Sequence, residues 1–243
     1  MTDQPTVAVF RPDDERIEAA VATLESLGAT PVADPMLEIE ATRERPRSDA
    51  DYAILTSTTG VDLAAEAAWD HGNGTICAIG PKTADALREA GYDVDVVPEE
   101  YTSSGMVDAL ADEVDGARVE IARSDHGSSV LPDGLEAAGA YVHETTLYRL
   151  VRPDGSGHSA ELAADGDLAA ACFTSPLTVE HFLEAAGARG VENIRDALED
   201  VVVGVIGDPT RRRAADCGVP VDVVPDEATF DALARETLEA VRS

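Results

Sequence analysis

Two Thr-Ser pairs stand where an apolar run ends and a helix-patterned stretch begins: Leu55-Thr56-Ser57 and Phe173-Thr174-Ser175. Such a turn can hold an anion. Its hydroxyls cap the helix, and the free N–H groups of the first turn point outward with a partial positive charge. A second pair of turns, Ile79-Gly80-Pro-Lys-Thr83 and Ile206-Gly207-Asp-Pro-Thr210, offers close backbone approach at the two glycines and predicts hydroxyl caps at Thr83 and Thr210. Taken singly, each turn is most simply an ordinary N-cap. Four equivalent turns, two in each half of the chain, favour an anion site.

The cations near these turns are Arg11, Lys82, Arg123, Arg149 and the run Arg211–Arg213. Arg11 and Arg123 end equivalent apolar runs, so one of them is expected to reach the ligand; two of the three consecutive arginines read as a solvated helix face. Tyr148, beside Arg149 in the extended segment Thr145–Val151, is the candidate proton donor. A phenol can supply a proton or hydrogen bond to a leaving hydroxyl without carrying charge. The competing reading is a strand tyrosine that packs its ring at a domain edge. Tyr101 opens a Tyr-Thr-Ser-Ser segment that could face the same ligand. No Ser-His-Asp order, metal-ligand histidine spacing, Walker loop or dinucleotide loop is present, so neither a metal nor a cofactor is expected. Cys77, Cys172 and Cys217 lie far apart in or near apolar segments and read as buried thiols in a reducing cytosol.

Composition narrows the ligand further. The 243 residues carry 48 acids against 18 lysines and arginines, a formal charge of −30, with Lys82 the only lysine. Hydrophobic residues make up 44%, enough to build a core, so the acidity does not mark a disordered tail. A surface this negative repels phosphate backbones and anionic lipid, which argues against nucleic-acid and membrane partners. Acid excess with scarce lysine and 4% aromatic residues reads as adaptation to high salt, where charge is screened at short range. The opening residues show neither a basic patch nor a leader-length apolar stretch, and the longest apolar runs, such as Val201–Ile206, are far too short to span a membrane. A cytoplasmic location is expected.

The elements that must position these turns alternate short strands with helix-length amphipathic stretches. Strands are expected at Thr6–Phe10, Thr30–Ala33, Asp51–Leu55, Ile76–Ile79, Val119–Ala122, Tyr141–Leu150, Ala169–Phe173 and Val201–Ile206; a helix over Glu15–Leu27 ends at Gly28. That pattern predicts an α/β protein with parallel sheets covered on both faces. The chain also repeats itself. Ile79-Gly recurs at Ile206-Gly, and the same 127-residue offset relates Gly91 to Gly218, Val97-Pro to Val224-Pro and Thr102 to Thr229. Val7–Arg11 with Gly28 recurs as Val119–Arg123 with Gly139, at offsets of 112 and 111. The order is A, B, A′, B′, which permits two consecutive domains or an interleaved pair with crossovers at Met36–Glu40 and Thr145–Val151. Thr42–Asp49 and Pro153–Ser159 read as surface connections.

In order and spacing, Ala78–Gly91, Val97-Pro, Tyr101–Val107, Leu55–Ser57, Leu147-Tyr-Arg149, Phe173–Pro176 and Val205–Gly207 with Thr210 resemble the uroporphyrinogen-III synthase family across essentially the whole chain. The resemblance implies the interleaved choice: two flavodoxin-like domains joined by a two-strand hinge, 1–38 plus 152–243 and 40–150, with the ligand cleft between them. It implies cyclisation of hydroxymethylbilane with loss of water and inversion of ring D, without a cofactor. The family's tyrosine falls on Tyr148, and Thr56, Ser57, Thr83, Ser103, Ser175 and Thr210 carry over as substrate contacts. Gly80, Arg123, Thr174 and Gly207 join them from the reading of the turns. Asp208 and Arg211–Arg213 depart from the family pattern, and the acid is expected to weaken anion capture at its turn. A monomer with transient handover from hydroxymethylbilane synthase is expected; the alternative is a non-catalytic tetrapyrrole- or anion-binding protein on the same fold. A two-domain solute-binding protein fits less well, since such proteins carry a leader.

Overall fold

The computed structural model describes residues 4–243. In chain order the elements are β1 (Thr6–Phe10), α1 (Glu15–Ser26), β2 (Thr30–Ala33), β3 (Glu38–Ala41), β4 (Tyr52–Leu55), α2 (Thr58–Glu66), β5 (Thr75–Ala78), α3 (Pro81–Glu89), α4 (Ser103–Leu110), β6 (Arg118–Ser124), α5 (Val130–Ala137) and β7 (Tyr141–Val151). There follow α6 (His158–Asp165), β8 (Ala170–Phe173), α7 (Pro176–Ala188), α8 (Ile194–Ala197), β9 (Val202–Val205), α9 (Asp208–Asp216) and α10 (Phe230–Val241). They form two compact units. One comprises the described residues up to Glu38 with Val151–Ser243; the other is Ile39–Leu150, so the units are interleaved in sequence.

The first unit holds a four-stranded sheet in the order β2-β1-β8-β9, and the second a five-stranded sheet in the order β3-β7-β6-β4-β5. All pairings from β2 to β9, and from β7 to β5, are parallel. Strand β1 shows why its residues make a central strand. Ala8 and Phe10 face α6 and α7, whereas Val7 and Val9 face α1 and α10, so apolar side chains are wanted on both sides. With few aromatics to use, the first unit concentrates three of them: the Phe10 ring lies 4.5 Å from Phe173 and 5.1 Å from Phe182. In the second unit Leu55 meets α2 and α3, while Ile54 and Ile121 meet α4 and α5.

The duplicated segments take equivalent places in the two sheets. β1 and β2 correspond to β6 and β7, and β8 and β9 to β4 and β5. The 127-residue offset holds down to single hydrogen bonds: Asp95 Oδ2 accepts from Ile76 N, and Asp222 Oδ2 from Val203 N, each at 2.8 Å. Gly28 ends α1 with φ 79°, the left-handed position that favours glycine.

The segment Pro153–Ser159 is not a surface connection. Ser156 and Ser159 are buried, and α6 begins within the segment at His158. A distant carboxylate caps that helix. Asp34, 3% exposed, accepts from Gly157 N at 2.8 Å, from Ser159 N at 2.9 Å and from the Ser159 hydroxyl. Gly157 takes φ 99° against Ala185, where a Cβ would lie 2.8 Å from that residue's own.

Candidate functional site

In both Thr-Ser turns the serine is the N-cap. Ser57 Oγ accepts from Gly60 N at 3.0 Å, and Ser175 forms a reciprocal capping box with Thr178. The threonines differ in use: the Thr174 hydroxyl donates to the Phe10 carbonyl at 2.7 Å, tying the ends of β8 and β1 together, whereas Thr56 donates through its backbone N–H to Ala122 O at 3.4 Å. One first-turn N–H per helix is satisfied by the cap, and earlier ones remain directed beyond the strand ends.

The two Gly-x-x-Thr turns correct the expectation of hydroxyl caps. Gly80 and Gly207 are themselves the N-caps, with no side-chain cap bond. Thr83 and Thr210 fall three positions on, facing the core at 5% and 1% exposure. Helical geometry explains this: Thr83 lies one turn before buried Leu87, and Thr210 one turn before buried Ala214. Both glycines are extended, so neither is required by its backbone angles. Gly80 has a steric reason, since a Cβ there would come within 3.3 Å of the Tyr101 Cβ; Gly207 has open space around it. Ser103 is likewise the first helical residue and not the cap of α4; Thr102 caps, accepting from Gly105 N at 3.0 Å. Tyr101 is exposed beside the Gly80 turn.

Tyr148 is brought to the start of α2. Its ring is buried among Leu55, Val61 and Leu147, and its hydroxyl donates to Ser57 Oγ at 2.9 Å. A register shift makes this possible. Arg123 pairs with Thr146 but Ser124 pairs with Tyr148, a bulge in β7 that re-aims the side chains beyond it.

The cations are less free than the sequence suggests. Arg123 forms an ion pair with Glu144 and donates to the Ser128 carbonyl at 2.5 Å, so the expected open cation is absent at that strand end. Arg211 and Arg212 both hold Asp208, at 2.8 Å and 2.7 Å, and Arg213 holds Glu180 at 2.7 Å. Arg211 and Arg212 lie exposed on the expected solvated helix face, where they pair with Asp208, and Arg213 is half-buried against Glu180. The two around Asp208 keep its carboxyl below the usual range, so the helix start bears two positive charges against one negative. Lys82 and Arg149 are exposed. The Arg11 guanidinium carbon lies 5.3 Å from the centroid of Phe230, and burial, followed by the charge of Arg16, lowers the Arg11 pKa. The strand-end pattern pairs Arg11 with Arg123 but carries no signal for Phe230, which stands near the far end of the chain.

A cavity of about 520 Å³ opens at the other edge of the second unit's sheet, where the strands begin, lined by Arg47, Asp51, Arg118, Glu120, Tyr141 and His143. It contains none of the predicted residues. Fully buried Glu120 pairs there with His143 Nδ1 at 2.7 Å. Among the described residues no group of His, Cys, Asp and Glu is arranged to hold a metal, and no helix is long and apolar enough to cross a membrane. Cys77 and Cys172 are buried, and Cys217 is partly exposed.

Comparison with known proteins bears on this arrangement. The family described as uroporphyrinogen-III synthase HemD matches residues 18–235. A Methanothermobacter thermautotrophicus protein provisionally named uroporphyrinogen-III synthase is 37% identical, over 92% of this chain and 93% of its own. The uroporphyrinogen-III synthase of Chlorobaculum parvum is 23% identical over 98% and 99%. Among solved structures, a mutant uroporphyrinogen III synthase from the extremely thermophilic bacterium Thermus thermophilus shares the fold with TM-score 0.68 at 22% identity, covering 98% of this chain and 99% of that one. The Helicobacter pylori uroporphyrinogen-III synthetase shares it at TM-score 0.61 and 14% identity, over 98% and 100%.

Proposed function

The chain belongs to the uroporphyrinogen-III synthase family, and from that premise we propose that Tyr148 supplies the proton with which hydroxymethylbilane loses its terminal hydroxyl. The protein is a hydro-lyase of tetrapyrrole biosynthesis: it closes the linear tetrapyrrole with loss of water and reversal of ring D. The observation that carries the tyrosine's role is its hydrogen bond to Ser57, the N-cap of α2, at 2.9 Å.

The C–O bond of the hydroxymethyl group breaks as Tyr148 gives its proton to the departing oxygen, leaving water, a pyrrole-stabilised cation and a phenolate. Ser57 can then turn its own O–H toward the phenolate, and the positive end of α2 lowers the cost of that charge. The substituted α-carbon of ring D attacks that cation to give a spiro intermediate, and the bond from this carbon to the bridge of ring C then breaks, leaving a second pyrrole-stabilised cation on ring C. The free α-carbon of the reversed ring D bonds to it and loses its proton, which restores the phenol. A neutral acid suits a protein whose net charge of −30 already opposes an anionic substrate.

We assign the substrate's carboxylates to the backbone N–H groups at the starts of α2, α3, α4, α7 and α9, with the Thr56, Ser103 and Ser175 hydroxyls and the extended Gly80 and Gly207 around them; Ser57 serves the tyrosine, and the Thr174 hydroxyl, given to the Phe10 carbonyl, shapes its turn. Thr83 and Thr210 serve as packing threonines beneath these turns. Holding the chain with ring D reversed is the larger task, since uncatalysed closure gives the other isomer. That competing closure favours direct receipt of substrate from hydroxymethylbilane synthase, by a monomer in the cytosol. The deciding experiment supplies freshly generated hydroxymethylbilane in molar KCl, oxidises the product and separates the porphyrin isomers. Isomer III is expected; isomer I alone refutes the assignment.

A further inference from the structure

Arg11 and Arg123 end equivalent strands, yet only one is closed off within the fold. In the second unit Ile121 pairs with Glu144 across β6 and β7, and Glu144 takes the Arg123 guanidinium. In the first unit the matching pair across β1 and β2 is Val9 with Ala33. Alanine stands where the duplicate has its carboxylate. Arg11 accordingly forms no ion pair among the described residues, although 48 acids are available in the chain. Two acids act on Arg11 through space without an ion pair: Asp14, which is paired with Arg16, and Asp231, which accepts from the Thr23 hydroxyl at 3.3 Å.

The residue is also kept in place. Its guanidinium lies 5.3 Å from the centroid of the Phe230 ring, at the first residue of α10. Its Nε is buried without an acceptor, whereas the residue as a whole is only half-buried. It follows Phe10, whose carbonyl receives the Thr174 hydroxyl and which pairs with Phe173, so Arg11 stands beside the Thr174-Ser175 start of α7. An unpaired, partly desolvated arginine at the carboxyl edge of a sheet is costly to keep and strongly attracts an anion that arrives there.

We propose that Arg11 is the side-chain cation of the first unit that binds a carboxylate of the tetrapyrrole, with Phe230 as its positioning residue. This rests on the synthase reading for the identity of the ligand. Phe230 holds the planar guanidinium through its face, so the terminal nitrogens can engage a carboxylate in two parallel bonds. With Ala33 in place of a carboxylate, that cation stays available.

The test measures two quantities on Arg11→Met, Arg11→Lys and Phe230→Leu beside the wild type. The first is KM and kcat with hydroxymethylbilane; the second is the dissociation constant for uroporphyrin III, the oxidised product with the same carboxylates, followed by fluorescence. Methionine keeps the packed stem without the charge. Arg11→Met is expected to raise both KM and the dissociation constant tenfold or more, with kcat and the unfolding midpoint little changed. Arg11→Lys recovers part of the loss, and Phe230→Leu gives an intermediate rise. An Arg11→Met protein that is folded and binds within twofold of wild type overturns the proposal. A wild type that binds uroporphyrin III but yields only isomer I refutes the synthase reading, while the binding series still decides for or against Arg11.

Discussion

The Tyr148 hydroxyl donates to Ser57 Oγ at 2.9 Å, joining two residues 91 positions apart at the first turn of α2. Ser57 simultaneously accepts from Gly60 N at 3.0 Å, so its oxygen is saturated as an acceptor while its own proton stays free to move. A phenol and a hydroxyl so placed, at the positive end of a helix, form a neutral pair that can release a proton outward.

Tyr148→Phe is expected to lower kcat about 100-fold or more, the range of a lost general acid. The unfolding midpoint should change little, because the ring stays packed and one hydrogen bond is worth about 1 kcal/mol. Ser57→Ala should cost about 1 kcal/mol of stability through the cap and lower kcat less than the tyrosine change. Steady-state assays beside thermal melts separate the two; unchanged turnover in Tyr148→Phe removes the residue from the chemistry.

The buried thiols give a pH dependence of known sign. Burial pushes Cys77 and Cys172 up from about 9 to about 12. Between those values the unfolded chain has released the two protons and the native protein still holds them. Stability therefore falls as pH rises from about 9 toward about 12. Cys77→Ala/Cys172→Ala should flatten that part of the curve. In the native protein at pH 8, alkylation should reach Cys217 first and the other two only on unfolding; equal labelling of all three would contradict their burial.

Asp34→Ala should destabilise the first unit by about 3 kcal/mol, since it leaves the Gly157 and Ser159 N–H groups and the Ser159 hydroxyl without their acceptor. Asp34→Asn retains one acceptor oxygen and should cost less. Chemical denaturation measures both, and a loss below about 0.5 kcal/mol in the alanine variant would mean that solvent replaces the cap.

Much of the architecture was legible because each level of the sequence agreed. Val7–Phe10 is apolar at every position, as a strand covered on both faces must be, and the 127-residue repeat places β5 and β9 alike. What misled was local. Thr83 and Thr210 looked like caps by residue type, but a glycine that caps without a side chain moves the threonine to the inward face. Pro153–Ser159 looked like a loop because the carboxylate that organises it is Asp34, more than a hundred residues earlier. Arg123's partner depends on cross-strand register, and Tyr148's contact on a bulge; neither leaves a mark in the order of residues.

The interleaving sets the order in which the chain can become protein during synthesis. The sheet of Ile39–Leu150 has all five of its strands once β7 is made, so that unit can close its core while the last third is still being translated. β1 and β2 have no such freedom. β1 must wait for β8, whose register with it runs from Val7–Ala170 to Phe10–Phe173, before either of its apolar faces is fully shielded. For all that time β1 presents an open, valine-rich parallel edge, dependent on its acidic surroundings and the ribosome's pace to stay unpaired.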